Sequence, residues 1–369
     1  MEDDHLIHCI ALSLLKGIGP VNARNLVAYC GGVEPLFTDP AVRRSLAKVP
    51  GIGPVLAASI MAPAVVRQAE KELAYVRKHK LRVLFYLDPA YPARLRHCPD
   101  APVLLFVKGN ADLDPARSVS IVGTRTPTEQ GKRLCMDLVE GLADSGALIV
   151  SGLAYGIDII AHRTAIRNGL ATVGCVAHGL DRIYPGEHAA TAQEMCMEGA
   201  LISELTSGST FAPGNFPARN RVIAGLSDCT IVVESGTKGG SLITADIANS
   251  YDREVMAFPG RPSDTYSIGC NRLIQQNRAH LVTSAQDVLR LMEWLPEDRK
   301  KTPVQAALFT ELMPEEQALV DLIKAQGKID IDTLCFRSKM QPHKAAGILL
   351  NLEFNGVVRS LPGKMYALN

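Results

Sequence analysis

The sequence predicts an α/β protein: a doubly wound parallel sheet, with a helical helix-hairpin-helix (SAM-like) domain before it and a winged-helix domain after it. Three observations carry that expectation. From Ser118 onward, short continuous Val/Ile/Ala runs alternate with helical patterns, the signature of parallel strands covered on both faces. Near the start, the phrase GIGP occurs twice, each time followed by an apolar helical pattern. At the end, three helix candidates precede a strand, a Pro-Gly turn and a strand, the order of a winged helix.

Taken in order, residues 1–75 read as the helical domain. LLKGIGPVNARNL and KVPGIGPVLAASI each place glycines where a tight turn is needed and a proline where a helix would begin. Such hairpins either grip a DNA phosphate through backbone amides or only pack helices together, and nearby Lys16, Arg24 and Lys48 do not decide between the two. Residues 76–295 read as the sheet domain. Its first part, 76–117, is a bridge with two strand-like runs, LRVLFYL and PVLLFVKG, around the proline-rich DPAYPARLRHCPDAP. Strands are then expected at SVSIVG, ALIVSG, ATVGCVA, ALISE, CTIVVE and EVMAFPG. Between them, helices are expected at 129–145, 156–168, 187–198, 217–226 and 241–251. Residues 296–312 read as a linker of mixed charge. Residues 313–369 read as the winged helix, with helices at 315–325, 331–337 and 342–355. The third helix carries His343, Lys344 and Asn351 and would be the recognition helix, although its low charge suits a protein contact or a structural role equally well.

Composition narrows the function. At 369 residues with 47% hydrophobic content, the chain has enough apolar mass for two or three domains. No apolar run reaches the ~20 residues that span a bilayer, and the acidic start MEDDHLIHC lacks the basic region of a secretory signal. Nine scattered cysteines, none at C-x-x-C spacing, point to reduced buried thiols in a cytoplasmic protein and to no metal site. Net charge is +1 overall; residues 118–295 hold 14 Lys and Arg against 18 Asp and Glu, a net of −4. A broad basic footprint for duplex DNA is therefore not expected, and any nucleic-acid site must be a local concentration of cations.

That concentration centres on FPARNRVIAGLS, residues 216–227. Arg219 and Arg221 flank Asn220, and Pro217 suits a helix's first turn. Two guanidiniums and an amide at a helix mouth would form an anion site. Two further basic, glycine-rich loops are expected at the same carboxyl edge of the sheet: Gly123-Thr124-Arg125, and Lys238-Gly239-Gly240-Ser241 at the start of a helix. In any single loop, glycines serving only the turn are the better account; three such loops together favour a phosphate site. Neither G-x-G-x-x-G nor G-x-x-x-x-G-K-[ST] is present, so no dinucleotide or ATP cofactor is expected. No catalytic constellation stands out. Asp158 and His162, four apart on a helix, are read as a helix-start carboxylate and a structural histidine rather than an acid/base pair. Glu204 and Glu234 end strands and either orient the arginines or bond loop amides. Phe211 and Phe216 either stack on bases or pack in the core, with weaker cases for Tyr155, Tyr184 and Tyr266.

SIVGTR, SGLAYGIDIIAH, GLDRIYP, GALISE, FPARNRVIAGLS, IVVESGTKGGSLITADIA and FPGRPSDTYSIGCNRLI, in that order, resemble the DprA (Smf) family of DNA-processing proteins. The resemblance implies an extended Rossmann-like domain that binds single-stranded DNA. It further implies a homodimer that protects incoming DNA and helps load the recombinase RecA in natural transformation, and no enzymatic activity. Carried over by position, Arg125, Arg219, Arg221 and Lys238 are the implied DNA contacts, with Gly123, Thr124, Phe216, Asn220, Gly239, Gly240 and Ser241 completing the site. The chain departs from the family pattern at Tyr155, at Gly239 and at Asn277-Arg278-Ala279; none of these touches GTR or RNR. The alternative is a nucleotide-processing enzyme of phosphoribohydrolase type on a similar sheet, with Glu204 and Glu234 as its carboxylates.

Overall fold

The computed structural model describes residues 2–49, 51–295 and 312–368. The expected linker therefore lies, apart from Leu312, outside the described residues.

The main sheet has nine strands: β1 (Arg82–Phe85), β2 (Leu104–Gly109), β3 (Ser118–Val122), β4 (Leu148–Ser151), β5 (Thr172–Cys175), β6 (Ala200–Ser203), β7 (Cys229–Val232), β8 (Glu254–Ala257) and β9 (His280–Leu281). They are ordered β1-β2-β6-β5-β4-β3-β7-β8-β9. From β6 to β9 every pairing is parallel, with Val122 opposite Val232 in the β3–β7 pair. The six central strands expected from sequence are all present. The departure is at one edge, where β1 and β2 pair antiparallel to each other and β2 to β6. β1 and β2 are joined by a turn-rich segment rather than the crossover helix that a parallel pair requires.

Alternate residues along the strands serve two cores. Val119, Ile121, Ile149, Ile231 and Met256 face the helices Glu129–Gly141, Ile157–Arg167 and Ala285–Leu291. Their neighbours Val150, Val173, Cys175, Val232 and Val255 join a second core with Val222, Ile223, Ala245 and Leu273, contributed by the helices Asn215–Gly225, Gly240–Ser250 and Ile268–Gln275. Two covered faces explain why these strands read as continuous apolar runs.

The chain winds from β3 outward through β4 and β5 to β6, then crosses back to place β7 on the other side of β3. This reversal opens the crevice at which doubly wound sheets take their ligands, beyond the carboxyl ends of the strands. The loops after β3 and β7 flank it.

In the helical module the two GIGP turns are near copies. Gly17 and Gly51 take φ of +79° and +82°, a region that favours glycine. Gly19 and Gly53 have matching extended angles just before helices Pro20–Cys30 and Pro54–Ile60. A Cβ on Gly17 would lie 3.1 Å from the Leu56 side chain, and one on Gly51 3.1 Å from that of Asn22. Leu56 and Asn22 each stand two residues past the helix-starting proline, so each turn packs on the other's helix. The module is not a separate unit: Leu12, Leu26, Leu36 and Leu73 share one core with Phe85, Leu104, Phe106 and Val176. The helix Pro63–Lys78 also runs through the division expected after residue 75.

The winged helix comprises the helices Pro314–Gln326, Ile331–Ser338 and Pro342–Phe354 with a small sheet of β10 (Lys328–Asp330), β11 (Val358–Leu361) and β12 (Met365–Leu368), ordered β10-β12-β11. It has its own core, including Leu319, Ile323, Leu334, Leu349 and Leu352. Its wing meets the sheet domain through exposed ion pairs, Lys364–Asp252 at 2.9 Å and Arg359–Glu293 at 3.4 Å.

Candidate nucleic-acid interface

The loops after β3, β4 and β7 are stitched together by backbone. The Thr124 amide donates to the Glu234 carbonyl at 2.8 Å, and the Ile157 amide to the Thr124 carbonyl at 3.2 Å. Gly123 permits this approach, since a Cβ there would come within 2.5 Å of Ile157; Gly156, at φ +78°, would clash with Thr124 O at 2.2 Å if it carried one. Glu234 is buried and accepts from the Thr128 amide at 2.9 Å and hydroxyl at 2.5 Å, at the start of helix Glu129–Gly141 where a carboxylate complements the helix dipole. Gly131 makes room for it.

This framework leaves Arg125 exposed at the crevice. Among the described residues it makes no ion pair, and its guanidinium carbon lies 5.7 Å from the centre of the Phe216 ring, within cation–π range. The contact joins the β3 loop to the helix that follows β6, although β4 and β5 separate those strands. Lys238 is also exposed, beside Gly239 and the N-terminus of helix Gly240–Ser250. The Ser241 hydroxyl donates to the Ser235 hydroxyl at 2.9 Å, fixing that turn. Backbone N–H groups at a helix start, next to a solvated ammonium, favour an anion.

The two central arginines are placed otherwise than expected. The helix starts at Asn215 rather than Pro217, which sets both a further two residues from its mouth, and residues two apart on a helix do not share a face. Arg219 is buried. Its Nη1 donates to the Gly152 carbonyl at 2.5 Å and to that of Cys175, and its Nε to Asn220 Oδ1 at 3.3 Å. Buried Asp158 faces it across Gly152, accepting from the Gly152 and Ala154 amides at 3.2 and 3.4 Å. Burial raises the Asp158 pKa and the Arg219 charge opposes that rise. Any Cβ at 152 would lie 2.6 Å from Asp158 Oδ2 and 2.7 Å from Arg219 Nη1. Arg221 pairs with Glu204 and donates to the Asp100 carbonyl; burial raises the Glu204 pKa against that pairing. Asn220 donates to the Gly240 carbonyl at 3.2 Å, tying the two helices together. Arg219, Asn220 and Arg221 thus brace the loop ends from within, each through acceptors on other segments.

His162 has the structural role expected, its Nδ1 bonded to Thr172 Oγ1 at 2.7 Å. Glu204 and Glu234, the carboxylates a hydrolase would need, have separate partners, Arg221 and Thr128. Among the described residues there is no metal-ligating cluster and no helix long and apolar enough to cross a membrane. All nine cysteines are free, seven of them buried.

A nine-stranded, mostly parallel doubly wound sheet followed by a winged helix defines the protein as Rossmann-like with a winged-helix domain. The family model described as DNA recombination-mediator protein A matches residues 82–293, and the DprA winged helix domain matches 302–364; the chain belongs to the DNA recombination-mediator protein A (DprA) family. It is 34% identical over 303 residues to Protein Smf of Synechocystis, covering 80% of this chain and 75% of that protein. The structure of DNA processing protein A from Streptococcus pneumoniae matches with TM-score 0.65 and 34% identity, over 77% of this chain and 97% of that one. A DNA processing protein A from Helicobacter pylori, described for its single-stranded DNA binding mode, matches with TM-score 0.53 and 31% identity over 58% and 96%.

Proposed function

We propose that the protein binds single-stranded DNA at the crevice between β3 and β7, without enzymatic activity, as a recombination mediator. Arg125 and Lys238 take backbone phosphates, helped by the helix start at Gly239, Gly240 and Ser241, and Phe216 receives a base. Gly123 and Thr124 shape the loop, while Arg219, Asn220 and Arg221 hold the site's frame. The observation that carries this reading is the exposed Arg125 guanidinium beside Phe216, without an ion pair among the described residues: a phosphate donor and a stacking ring side by side. The Helicobacter pylori relative's single-strand binding supports it. The separate commitments of Glu204 and Glu234 argue against the phosphoribohydrolase alternative. Acting as a homodimer, the protein would protect incoming DNA and help load the recombinase RecA in natural transformation.

Competition between single-stranded and duplex DNA of one sequence at fixed salt tests the proposal. Clear preference for the single strand is expected, because the net −4 of residues 118–295 leaves only a local basic surface at the crevice. Equal affinity for both forms would contradict it.

A further inference from the structure

Phe216 is the first of a group of rings. Tyr184, from the loop after β5, and Phe211, from the loop after β6, are 47% and 40% exposed. Their centroids lie 4.8 Å apart, and Phe211 lies 5.4 Å and Tyr184 6.3 Å from Phe216, all edge-to-face. Tyr155, from the loop after β4, is 42% exposed; its hydroxyl bonds Glu187 and its ring meets buried His188 edge-on at 5.1 Å. Four aromatic side chains from four segments thus gather at the carboxyl edge of the sheet, and the Arg125 guanidinium caps one end of the group.

The supports beneath these rings are tight. Gly179 brings the β5 loop against the β6 loop so closely that a Cβ would meet Thr206 O at 2.3 Å. Asn215 Nδ2 donates to the Thr210 carbonyl at 3.1 Å and the Ala177 carbonyl at 3.3 Å. On the far side, buried Glu72 of the helical module accepts from the Ser207 amide at 2.8 Å and hydroxyl at 2.5 Å. Held rings with open surface lose little freedom on binding, so stacking upon them is favourable.

We propose that Tyr184, Phe211 and Tyr155 form a base-stacking track that continues from Phe216. The strand enters at the Arg125 phosphate position, and its unstacked bases are seated across the loops after β4, β5 and β6. The inference rests on the single-strand reading above and extends it from one nucleotide to several. Continuity with the cation site selects the occupant: a duplex keeps its base faces stacked inside, whereas a single strand can offer every π-face.

The test uses the full chain with oligothymidylates of about 6 and about 20 nucleotides, one within and one beyond the ~4–16 nucleotides of single-strand sites in OB folds, and a matched abasic strand. Wild-type protein is expected to bind the thymidylates more tightly than the abasic strand of equal length. Phe211→Ala and Tyr184→Ala should each weaken thymidylate binding by about fivefold to a hundredfold. Both should leave the salt slope, the abasic affinity and the melting temperature unchanged. Phe211→Trp should retain binding. Equal wild-type affinity for abasic and thymidylate strands overturns the track while leaving the phosphate site standing, and needs no variant to fold. Normal thymidylate binding by a Phe211→Ala, Tyr184→Ala double variant that melts as wild type also overturns it. Failure of the wild-type protein to bind any of the strands overturns the single-strand reading itself.

Discussion

Replacing Arg219 by alanine separates an internal brace from a DNA contact. The guanidinium donates to the Gly152 and Cys175 carbonyls and faces buried Asp158. Removing it leaves two buried carbonyls without their donor and takes the opposing charge from beside buried Asp158, and unmade buried bonds with an uncompensated charge cost ~3–5 kcal/mol. Asp158, whose pKa burial already raises, can take up a proton and so limit the loss to that range. At ~2–4 °C per kcal/mol for a domain of this size, the melting temperature should fall by about 6–20 °C. The assay is thermal and guanidinium unfolding of the Arg219→Ala variant, beside Arg219→Ala, Asp158→Asn. The double variant removes both charges and should recover much of the loss. If Arg219→Ala melts within ~1 kcal/mol of wild type yet loses single-strand binding, the brace assignment is wrong and Arg219 is a DNA contact.

Glu72→Ala should weaken single-strand binding by ~1–2 kcal/mol, because it frees the loop that Ser207 anchors without touching the crevice; titration beside a melt checks this, and an unchanged affinity would show the clamp to be irrelevant to binding. His162 is fully buried and its pKa is pushed down to about 3 by desolvation, so its contribution is present above the unfolded value near 6.5 and is lost as pH falls toward 3. From pH 7 to pH 5 that loss is about 2 kcal/mol, and His162→Gln should flatten the stability profile by that amount; a profile parallel to wild type would contradict the assignment. Deleting residues 313–369 should leave much of the single-strand binding, because Arg125, Phe216 and Lys238 all precede them and the wing is held by exposed ion pairs worth ~0.2–1 kcal/mol each. Loss of nearly all binding in a still folded truncation would move the site.

The six central strands were legible because burial on both faces writes them as unbroken apolar runs, such as SVSIV and CTIVV. β9 and β10, of two and three residues, are too short to carry a period. The antiparallel β1–β2 edge was hidden because strand direction leaves no local mark. The loops of the candidate site were legible as glycine and polar breaks after those strands. The orientation of Arg219 and Arg221 was not: two residues apart inside helix Asn215–Gly225, they point to different faces rather than together at its mouth. Their acceptors, the carbonyls of Gly152, Cys175 and Asp100, come from distant segments and leave no trace in spacing. Glu204 facing Arg221 was foreseeable as one of two readings; Glu72 clamping Ser207, 135 residues away, was not.

The most direct measurement is the salt dependence of oligothymidylate binding by Arg125→Ala, Lys238→Ala protein against wild type, with melting curves alongside. Both side chains are exposed, so the fold should be untouched. A charge-assisted hydrogen bond contributes ~1.5–3 kcal/mol, which sets the loss at about tenfold to a hundredfold for each residue. The slope of log affinity against log salt should shrink by ~1.4, or ~0.7 for each phosphate contact removed. Restoring lysine at 125 should recover only part of the affinity, since an ammonium cannot reproduce the guanidinium fork. A variant that melts as wild type and binds with unchanged affinity and unchanged slope would contradict the account.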